Sequence, residues 1–237
     1  MNIGEIFSFV NYLSAKNFSG RTFTPEEFGL LYPSTELTFF RTIARPPADQ
    51  SHNWRVLQPA VDDIRLQTLK RQLTLSFTSG VAELPNVENS ETEFLDWLSF
   101  AVNVTTTDNC GDDVDSEVPV EVVVDDEWSM RISAAVRRPT LRYPIIKFIQ
   151  GTVRQVQIAP SVITESVIRY YKIPHKPVFA YTTDANDNII YDATNSVQSE
   201  FPEIAHEQII NFLLEKVATN LDKNPLLQYS QLAKQVG

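Results

Sequence analysis

The first 45 residues of the chain carry apolar side chains at the period of an α-helix. Between residues 2 and 16 these side chains are three or four positions apart and form one stripe, which consists of Ile6, Phe9, Val10 and Leu13. Side chains at this spacing lie on one face of a helix, where they can be buried together. The pattern predicts a first helix over residues 2–16 with this stripe in the core.

The start of a second helix is marked by its capping residues. Thr24 occupies the N-cap, Pro25 the first helical position, and Glu27 the position that completes a capping box. Phe23 and Phe28 occupy the two positions whose side chains pack together across such a helix start. These residues predict that the second helix begins at residue 25.

Proline residues then divide the remainder of this segment. Pro33 predicts an end or a kink, after which Ser34 can cap a continuation that carries Leu37, Phe40 and Ile43 on its apolar face. The run Arg45-Pro46-Pro47 stops the helical pattern. We therefore expect residues 1–45 to form a helical hairpin module and residues 46–56 to form a connector.

The middle of the chain changes to a period of two, which is typical of β-strands. After a short helix expected near residues 59–72, apolar and polar residues alternate at 73–78 and at 118–122, and further β-rich stretches lie at 95–105, 145–158 and 162–171. The alternating apolar residues are Leu73, Leu75, Phe77, Val118, Val120 and Val122. A hairpin is predicted between residues 177 and 192, because two apolar runs flank an Asp-Asn turn.

The end of the chain returns to the helical period. Pro202 opens a helix that carries Ile209, Phe212, Leu213 and Val217 on one face, and Asn224 with Pro225 opens a last one. The predicted fold class is α+β: an N-terminal helical hairpin, a central and mostly antiparallel β domain, and C-terminal helices. The predicted segments are residues 1–45, 46–200 and 201–237.

Charge is distributed in two opposed blocks. Residues 72–130 contain fourteen Asp or Glu and no Lys or Arg, whereas residues 131–183 contain nine Lys or Arg and a single acid, Glu165. Opposed blocks on one chain are typical of a surface that meets the opposite surface of another copy, since charge complementarity sets orientation and register. The alternative is that both blocks are solvated faces of a sheet. Between the blocks, Asp125-Asp126-Glu127-Trp128 predicts the start of a short helix, whose dipole favours these acids.

Composition argues against several functional classes. The net charge of −10 disfavours a general nucleic-acid-binding protein, because binding to phosphate needs clustered cations. The single Cys110 excludes an intrachain disulfide, and no apolar run approaches about 18 residues, so no membrane-spanning segment is predicted. The first residues lack the basic region and cleavage site of a secretory signal, which predicts that the product stays in the cytoplasm of the cell that makes it.

Motifs for catalysis, cofactors and metals are also missing from the sequence. It contains no Walker loop, dinucleotide-binding glycine motif, His-x-x-x-His or Cys-x-x-Cys. Asp184, Asn186 and Asn188 match the start of a calcium loop, but the positions that need Gly and Glu hold Ile189 and Asn195. His52, His175 and His206 are isolated, the last two being expected on the surface. We therefore predict no catalytic residue, no cofactor and no metal.

Several motifs together resemble small virion structural proteins of crAss-like and related Bacteroidetes-infecting phages. The resemblance covers most of the chain, in the order and spacing of short motifs, although the acidic loop at 106–117 is longer than is typical of that group. The motifs are Asn17-Phe18-Ser19-Gly20 and Thr24-Pro25-Glu26-Glu27-Phe28 within residues 6–28, Asp126-Glu127-Trp128 with Arg131, Arg138-Pro139-Thr140, Tyr143-Pro144-Ile145, Ala159-Pro160, and Tyr170-Tyr171-Lys172-Ile173-Pro174 with Lys176-Pro177.

The resemblance implies a ring or adaptor protein of the phage head-to-tail connector, with no enzymatic activity. It implies about twelve copies in a closed ring stacked below the portal. The implied partners are other copies of the chain, the portal protein, neighbouring connector and tail proteins, and genomic DNA that passes through the channel without sequence-specific binding. The implied location is the virion, after synthesis in the cytoplasm of the host bacterium.

Charge and resemblance together give a predicted subunit interface. A closed ring joins one face of each subunit to a different face of the next, so that opposed charges on one chain can meet around the circle. The predicted interface residues are Arg131, Arg137, Arg138, Arg142, Asp112, Asp113, Asp125 and Asp126. Two alternatives remain open: another tail or capsid-associated structural protein, and a soluble enzyme or regulatory protein.

Overall fold

The computed structural model describes residues 1–16, 23–44, 63–86, 92–107, 113–149 and 154–220. These residues contain both helices and strands, so the fold class is α+β, as predicted. The helices are α1 Ile3–Lys16, α2 Pro25–Ala44, α3 Asp125–Ser133 and α4 Glu203–Asn220, with a short 3-10 helix at Ile64–Leu69. The strands are β1 Lys70–Ser76, β2 Val81–Glu83, β3 Phe94–Thr107, β4 Asp113–Val122, β5 Ile145–Ile149, β6 Gln155–Ala159, β7 Glu165–Lys172, β8 Tyr181–Thr183 and β9 Ile189–Tyr191.

The chain divides into two compact units. One unit combines Met1–Thr68 with Pro174–Gly237, and the other is formed by Leu69–Ile173. This division differs from the three predicted segments, because the stretch after Ile173, including the β8–β9 hairpin, belongs with the terminal helices. We call the first the helical unit and the second the sheet unit.

The predicted start of α2 is confirmed in detail. The Thr24 N–H donates to Glu27 Oε2 at 3.1 Å, and the Glu27 N–H donates to Thr24 Oγ1 at 3.3 Å, which is a capping box. The rings of Phe23 and Phe28 pack edge to face with centroids 6.2 Å apart. The helix does not end at Pro33 but continues through it to Ala44.

The buried face of α1 differs from the predicted stripe. Ile6 and Val10 are buried as expected, but Phe9 is 41% exposed and Phe7 is buried instead. The reason is an aromatic cluster, in which the Phe7 ring lies 5.4 Å from the Phe28 ring and 4.5 Å from the Phe179 ring. The face that packs is therefore chosen by rings from other parts of the unit.

Helix α4 packs against α2. Three residues of its predicted face, Ile209, Leu213 and Val217, are buried, and the fourth, Phe212, is half-buried with its ring 6.4 Å from that of Phe39. The Lys216 ammonium group donates to the hydroxyl of Ser34 on α2 at 3.0 Å. His206 was expected on the surface, but it is only 7% exposed, because its ring turns inward and lies 3.1 Å from the Phe201 carbonyl oxygen.

Seven strands of the sheet unit form one sheet in the order β1-β7-β3-β4-β5-β6-β2. All pairings are antiparallel except β4 with β5, which confirms the predicted mostly antiparallel domain. The two edge strands are consecutive in the chain, and the Thr78↔Val81 bridge joins the turn between them. Gly80, with φ of +80°, allows this turn. The sheet therefore curls so that a short turn can join its two edge strands.

One apolar core fills the curled sheet. Every strand of the sheet contributes a buried side chain to it, which is the arrangement expected when alternate residues of each strand point inward. The contributing residues include Leu75 of β1, Ala82 of β2, Phe100 and Val102 of β3, Val120 of β4, Ile146 of β5, Val156 and Ile158 of β6, and Ile168 and Tyr170 of β7.

Some predictions fall partly or wholly outside the described residues. Of the helix expected near residues 59–72, residues 59–62 lie outside the described residues; the described part contains the 3-10 helix Ile64–Leu69, after which β1 begins at Lys70. The turn at Asn17–Gly20, the connector at 46–56, Cys110 and the last helix at Asn224 lie outside the described residues. The predicted hairpin at 177–192 is confirmed as β8 and β9, and the predicted helix at Asp125 is confirmed as α3.

Removal of the cap tests the account of α2. We expect Thr24→Ala to lower the free energy of unfolding of the helical unit by about 1 kcal/mol, because the Glu27 N–H loses its acceptor. The matched control is Thr42→Ala, an exposed position of the same helix, where alanine should not destabilise. Urea denaturation measures both, and equal effects of the two substitutions would contradict the account.

Candidate subunit interface

The acidic and basic blocks meet at α3 through ion pairs within the chain. Arg131, in the last turn of α3, donates through Nη1 to Glu121 Oε2 at 2.6 Å and through Nε to Glu127 Oε1 at 3.0 Å. Hydrogen bonds that the Arg131 guanidinium donates to Glu121, and then to Glu127, raise its pKa. The charge of this predicted interface residue is therefore compensated inside its own subunit.

The beginning of α3 is compensated in the same way. The Lys147 Nζ atom, on β5, lies 2.7 Å from Asp125 Oδ1 and 5.3 Å from the centroid of the Trp128 ring. The acids of the first turn also lie where the helix dipole favours them. Asp125 thus has a partner within the subunit, whereas its neighbour Asp126 is exposed on the helix.

Three of the predicted arginines lie together on the segment that follows α3. We call residues 134–143 the basic arm; it contains Arg137, Arg138 and Arg142. All three side chains are exposed, and among the described residues none of them has an ion-pair or hydrogen-bond partner. These arginines therefore differ from Arg131, which is paired within its own subunit, although all four lie in the same basic block of the sequence.

The basic arm also exposes apolar side chains that the sequence analysis did not single out. Val136 is 96% exposed, Tyr143 is 69% exposed and Leu141 is 44% exposed. They are interspersed with the arginines in a segment that follows neither the helical nor the strand period. This lack of a period was the sequence feature that could have indicated an exposed apolar segment. A run of exposed apolar and arginine side chains is unusual for a surface that faces only water.

The end of the basic arm has a fixed conformation. The Thr140 and Tyr143 main chains pair across a tight turn, with N–H to O distances of 3.3 Å and 3.1 Å. Pro139 and Pro144 flank this turn and restrict the backbone on both sides. Because part of the arm is ordered in advance, docking it on a partner costs less conformational entropy.

The predicted acidic partners lie at the β3–β4 connection. Asp112 lies outside the described residues, and Asp113 begins β4 opposite Thr107. Further along β4, Asp115 Oδ1 accepts a hydrogen bond from the Thr105 hydroxyl at 2.7 Å, and Glu117 pairs with Arg169 at 2.7 Å. The acids of β4 are thus partly engaged within the sheet.

A groove of about 380 Å³ lies beside the end of β7. We call it the β3 groove. Ser166 at its base is 1% exposed, and its hydroxyl has no hydrogen-bond partner among the described residues. A buried hydroxyl without a partner costs free energy that a bound group with a donor or acceptor would recover. The lining residues are Thr74, Val102, Asn103, Val104, Thr105, Leu141, Val162, Ile163, Thr164, Glu165, Ser166 and Val167.

The helical unit contains a buried carboxyl group that the sequence analysis missed. Glu36, on α2, is 1% exposed, and its Oε1 atom has no hydrogen-bond partner among the described residues. Burial raises the pKa of Glu36 to about 7, while the hydroxyl groups of Ser199 and Tyr32 act in the opposite direction. Burial also raises the pKa of Tyr32, as does the negative charge of Glu36. No local pattern singles out Glu36, which stands between Thr35 and Leu37 in the sequence.

Two other features have structural explanations. The Asp184 Oδ1 atom accepts the N–H groups of Asn186 and Asn188, each at 2.8 Å, and so closes the turn between β8 and β9. The pKa of Asp184 is lowered first by a hydrogen bond from the Asn188 side chain and then by these two N–H groups. His175 lies 3.7 Å from Glu200, and this pair does not line the β3 groove. Within the described ranges, no cluster of His, Cys, Asp or Glu could hold a metal ion.

Comparisons with known proteins add no identification. No protein-family model matches the sequence, and no curated protein is significantly similar to it. Among the described residues, no helix is both long and apolar enough to span a bilayer. Function is therefore argued from the charges and exposed surfaces of the two units.

The buried carboxyl predicts a pH dependence of stability. The folded-state pKa of Glu36 is about 7, above its ordinary value of 4.5. Between these values the folded chain keeps a proton that the unfolded chain has lost, so stability falls as the pH rises, by on the order of 3 kcal/mol. We expect Glu36→Gln to remove this loss, because glutamine stays neutral.

Urea denaturation at several pH values measures the effect. Relative to Glu36→Gln, the wild-type chain should become progressively less stable from pH 5 to pH 7 and should show no further relative change above that. Parallel stability curves for the two chains over the whole range would contradict the assignment.

Proposed function

We propose that this chain is a non-enzymatic structural protein of a phage virion that assembles into a closed ring in the head-to-tail connector. The ring would contain about twelve copies, bridge the portal and the tail, and surround the DNA channel. Its partners would be other copies of the chain, the portal protein and the adjoining connector or tail proteins. The observation that carries the proposal is the exposed basic arm.

The composition of the basic arm favours a contact with another protein. Arginine and tyrosine are enriched at the centres of protein interfaces, where aromatic rings and guanidinium groups supply much of the binding free energy. The arm combines Val136, Leu141 and Tyr143 with three arginines that have no ion-pair partner among the described residues. Docking against an acidic and partly apolar surface would bury the apolar groups and pair the cations.

The distribution of ion pairs favours a contact between copies of this chain. Arg131 and Lys147 are already paired with acids of their own subunit, so they have little charge to offer a neighbour. The arm keeps its positive charge, whereas the chain as a whole has a net charge of −10. A second copy is thus a suitable acidic partner. In a head-to-tail contact that closes into a ring, the basic arm of every copy has an acidic neighbour.

The same net charge suits a channel for DNA. Binding to duplex DNA requires Lys or Arg groups that neutralise phosphates and release counterions. An acidic ring would repel the phosphates and let the genome pass without sticking. The basic arm could attract DNA, but in this proposal the arm is buried between subunits.

Charge reversal on the basic arm tests the proposal. We expect Arg137→Glu with Arg138→Glu to weaken self-assembly by about tenfold or more, because the arm would then repel its acidic partner. The matched control is Arg41→Glu with Lys176→Glu, since both are exposed cations outside the arm and the change in net charge is the same. Sedimentation velocity measures assembly of the purified chains.

Two results would count against the proposal. Normal assembly of the arm variant would remove the role of the arm, and equal loss in both variants would show that net charge alone governs assembly. Near-ultraviolet circular dichroism of each variant establishes that its fold is unchanged, so that a loss of assembly can be attributed to the interface.

A further inference from the structure

We infer that the basic arm of one copy docks in the β3 groove of a second copy, as a short strand added to the edge of β3. This inference rests on the proposed self-assembly and names the two surfaces that meet. It assigns the arm, from residue 134 to residue 138, as the inserted segment. The groove belongs to the sheet unit of the receiving copy.

The edge of β3 beside the groove is open. The pairing of β3 with β7 ends at Ala101↔Val167, whereas its pairing with β4 continues to Thr107↔Asp113. On the β7 side, residues 102–107 are therefore unpaired within the part of the chain that the structure describes. An open edge presents main-chain donors and acceptors to an extended peptide, which is the basis of recognition by strand addition.

The groove also selects for the chemistry of its occupant. Apolar Val102, Val104 and Val162 form part of its wall, and the Ser166 hydroxyl lacks a partner among the described residues. Glu165 lies at its rim, exposed and without an ion pair among those residues. A suitable occupant is extended, has a small apolar side chain, and carries a cation for Glu165.

The basic arm fits this description. Residues 134–138 span about 17 Å when extended, so they fit along the unpaired edge from 102 to 107. Ala134 already has an extended backbone, with φ of −70° and ψ of 137°, and the bends at residues 135–137 would have to straighten on docking. Pro139 follows, and it would end the added strand because it has no N–H to donate. Val136 and Arg138 are two apart and so share one face, which would place Val136 on the apolar wall and Arg138 near Glu165.

The occupant must come from another copy. Leu141 of the basic arm lines the groove of its own subunit, yet Val136 is 96% exposed. The part of the arm that fits the groove is thus not inserted in it within one chain. A second copy supplies both a groove for this arm and an arm for this groove.

Disulfide trapping between different chains tests the contact directly. One chain carries Val136→Cys and the other Thr164→Cys, both with Cys110→Ser so that the native thiol cannot exchange. Thr164 lines the groove and its side chain is exposed. The control replaces the second chain with one that carries Lys176→Cys, an exposed position in the helical unit. Mixed chains are oxidised, and covalent heterodimers are measured on a non-reducing gel.

The outcomes separate the inference from the proposed function. We expect at least several-fold more heterodimer with Thr164→Cys than with the control. If the wild-type chain assembles and the two yields are equal, the inference is overturned while self-assembly stands. If the wild-type chain neither assembles nor cross-links, both fail. A chain with both Val136→Cys and Thr164→Cys should give a ladder of covalent oligomers, whereas a product that stops at the dimer would overturn the ring.

Charge exchange gives a second and independent test. Glu165→Arg should weaken assembly, and adding Arg138→Glu in the same chain should restore it, because the opposed pair is re-formed between copies. Glu83→Arg, an exposed acid on β2, is the matched control and should have little effect on assembly. An absence of recovery in the double variant, with both single variants impaired, would overturn the pairing of Arg138 with Glu165.

Discussion

Burial of a common apolar core by seven strands is the constraint on which the rest of the sheet unit depends. The sheet curls so that the turn at the Thr78↔Val81 bridge joins its edge strands β1 and β2. This curvature fixes which side chains point inward. Once the inward positions are occupied, β3 can extend beyond the end of β7, which leaves its edge and the adjoining groove accessible. The surface proposed for assembly is thus a consequence of how the core closes.

Ion pairs compensate some charges of the sheet unit, whereas the three arginines of the basic arm have no ion-pair partner among the described residues. Pairs within the subunit take up Arg131 and Lys147, and such exposed pairs contribute little to stability. In the proposed assembly their effect is larger, because they leave the positive charge of the basic arm for a neighbouring copy. Solvated sheet faces would account for the paired charges, but they do not account for Val136, which is almost fully exposed between alanine and arginine. Assembly through the arm accounts for both.

Local signals in the sequence predicted most of the secondary structure. The capping box at Thr24 and Glu27, the α3 start at Asp125 and the β8–β9 turn at Asp184 depend on neighbours within a few residues, and each is present. Predictions that needed tertiary contacts were less accurate. Phe9 and Phe7 exchange places because of rings distant in sequence, and His206 turns inward toward Phe201.

The candidate site shows the same limit. Block charge pointed to the arginines, but only the folded chain shows that Arg131 is paired, whereas Arg137 has no ion-pair partner among the described residues. The β3 groove is built from residues of β1, β3 and β7 and the segments around Leu141 and Val162, so no local pattern could predict it. The burial of Glu36 likewise depends on packing contributed by distant segments.

The most direct test of the ring proposal is the number of copies of this chain in each virion of its source phage, measured by quantitative mass spectrometry of purified particles. The account predicts about twelve copies, because one closed ring in the connector accounts for them all. Hundreds of copies would indicate a capsid or long-tail protein, and absence from the particle would contradict a structural role in the virion.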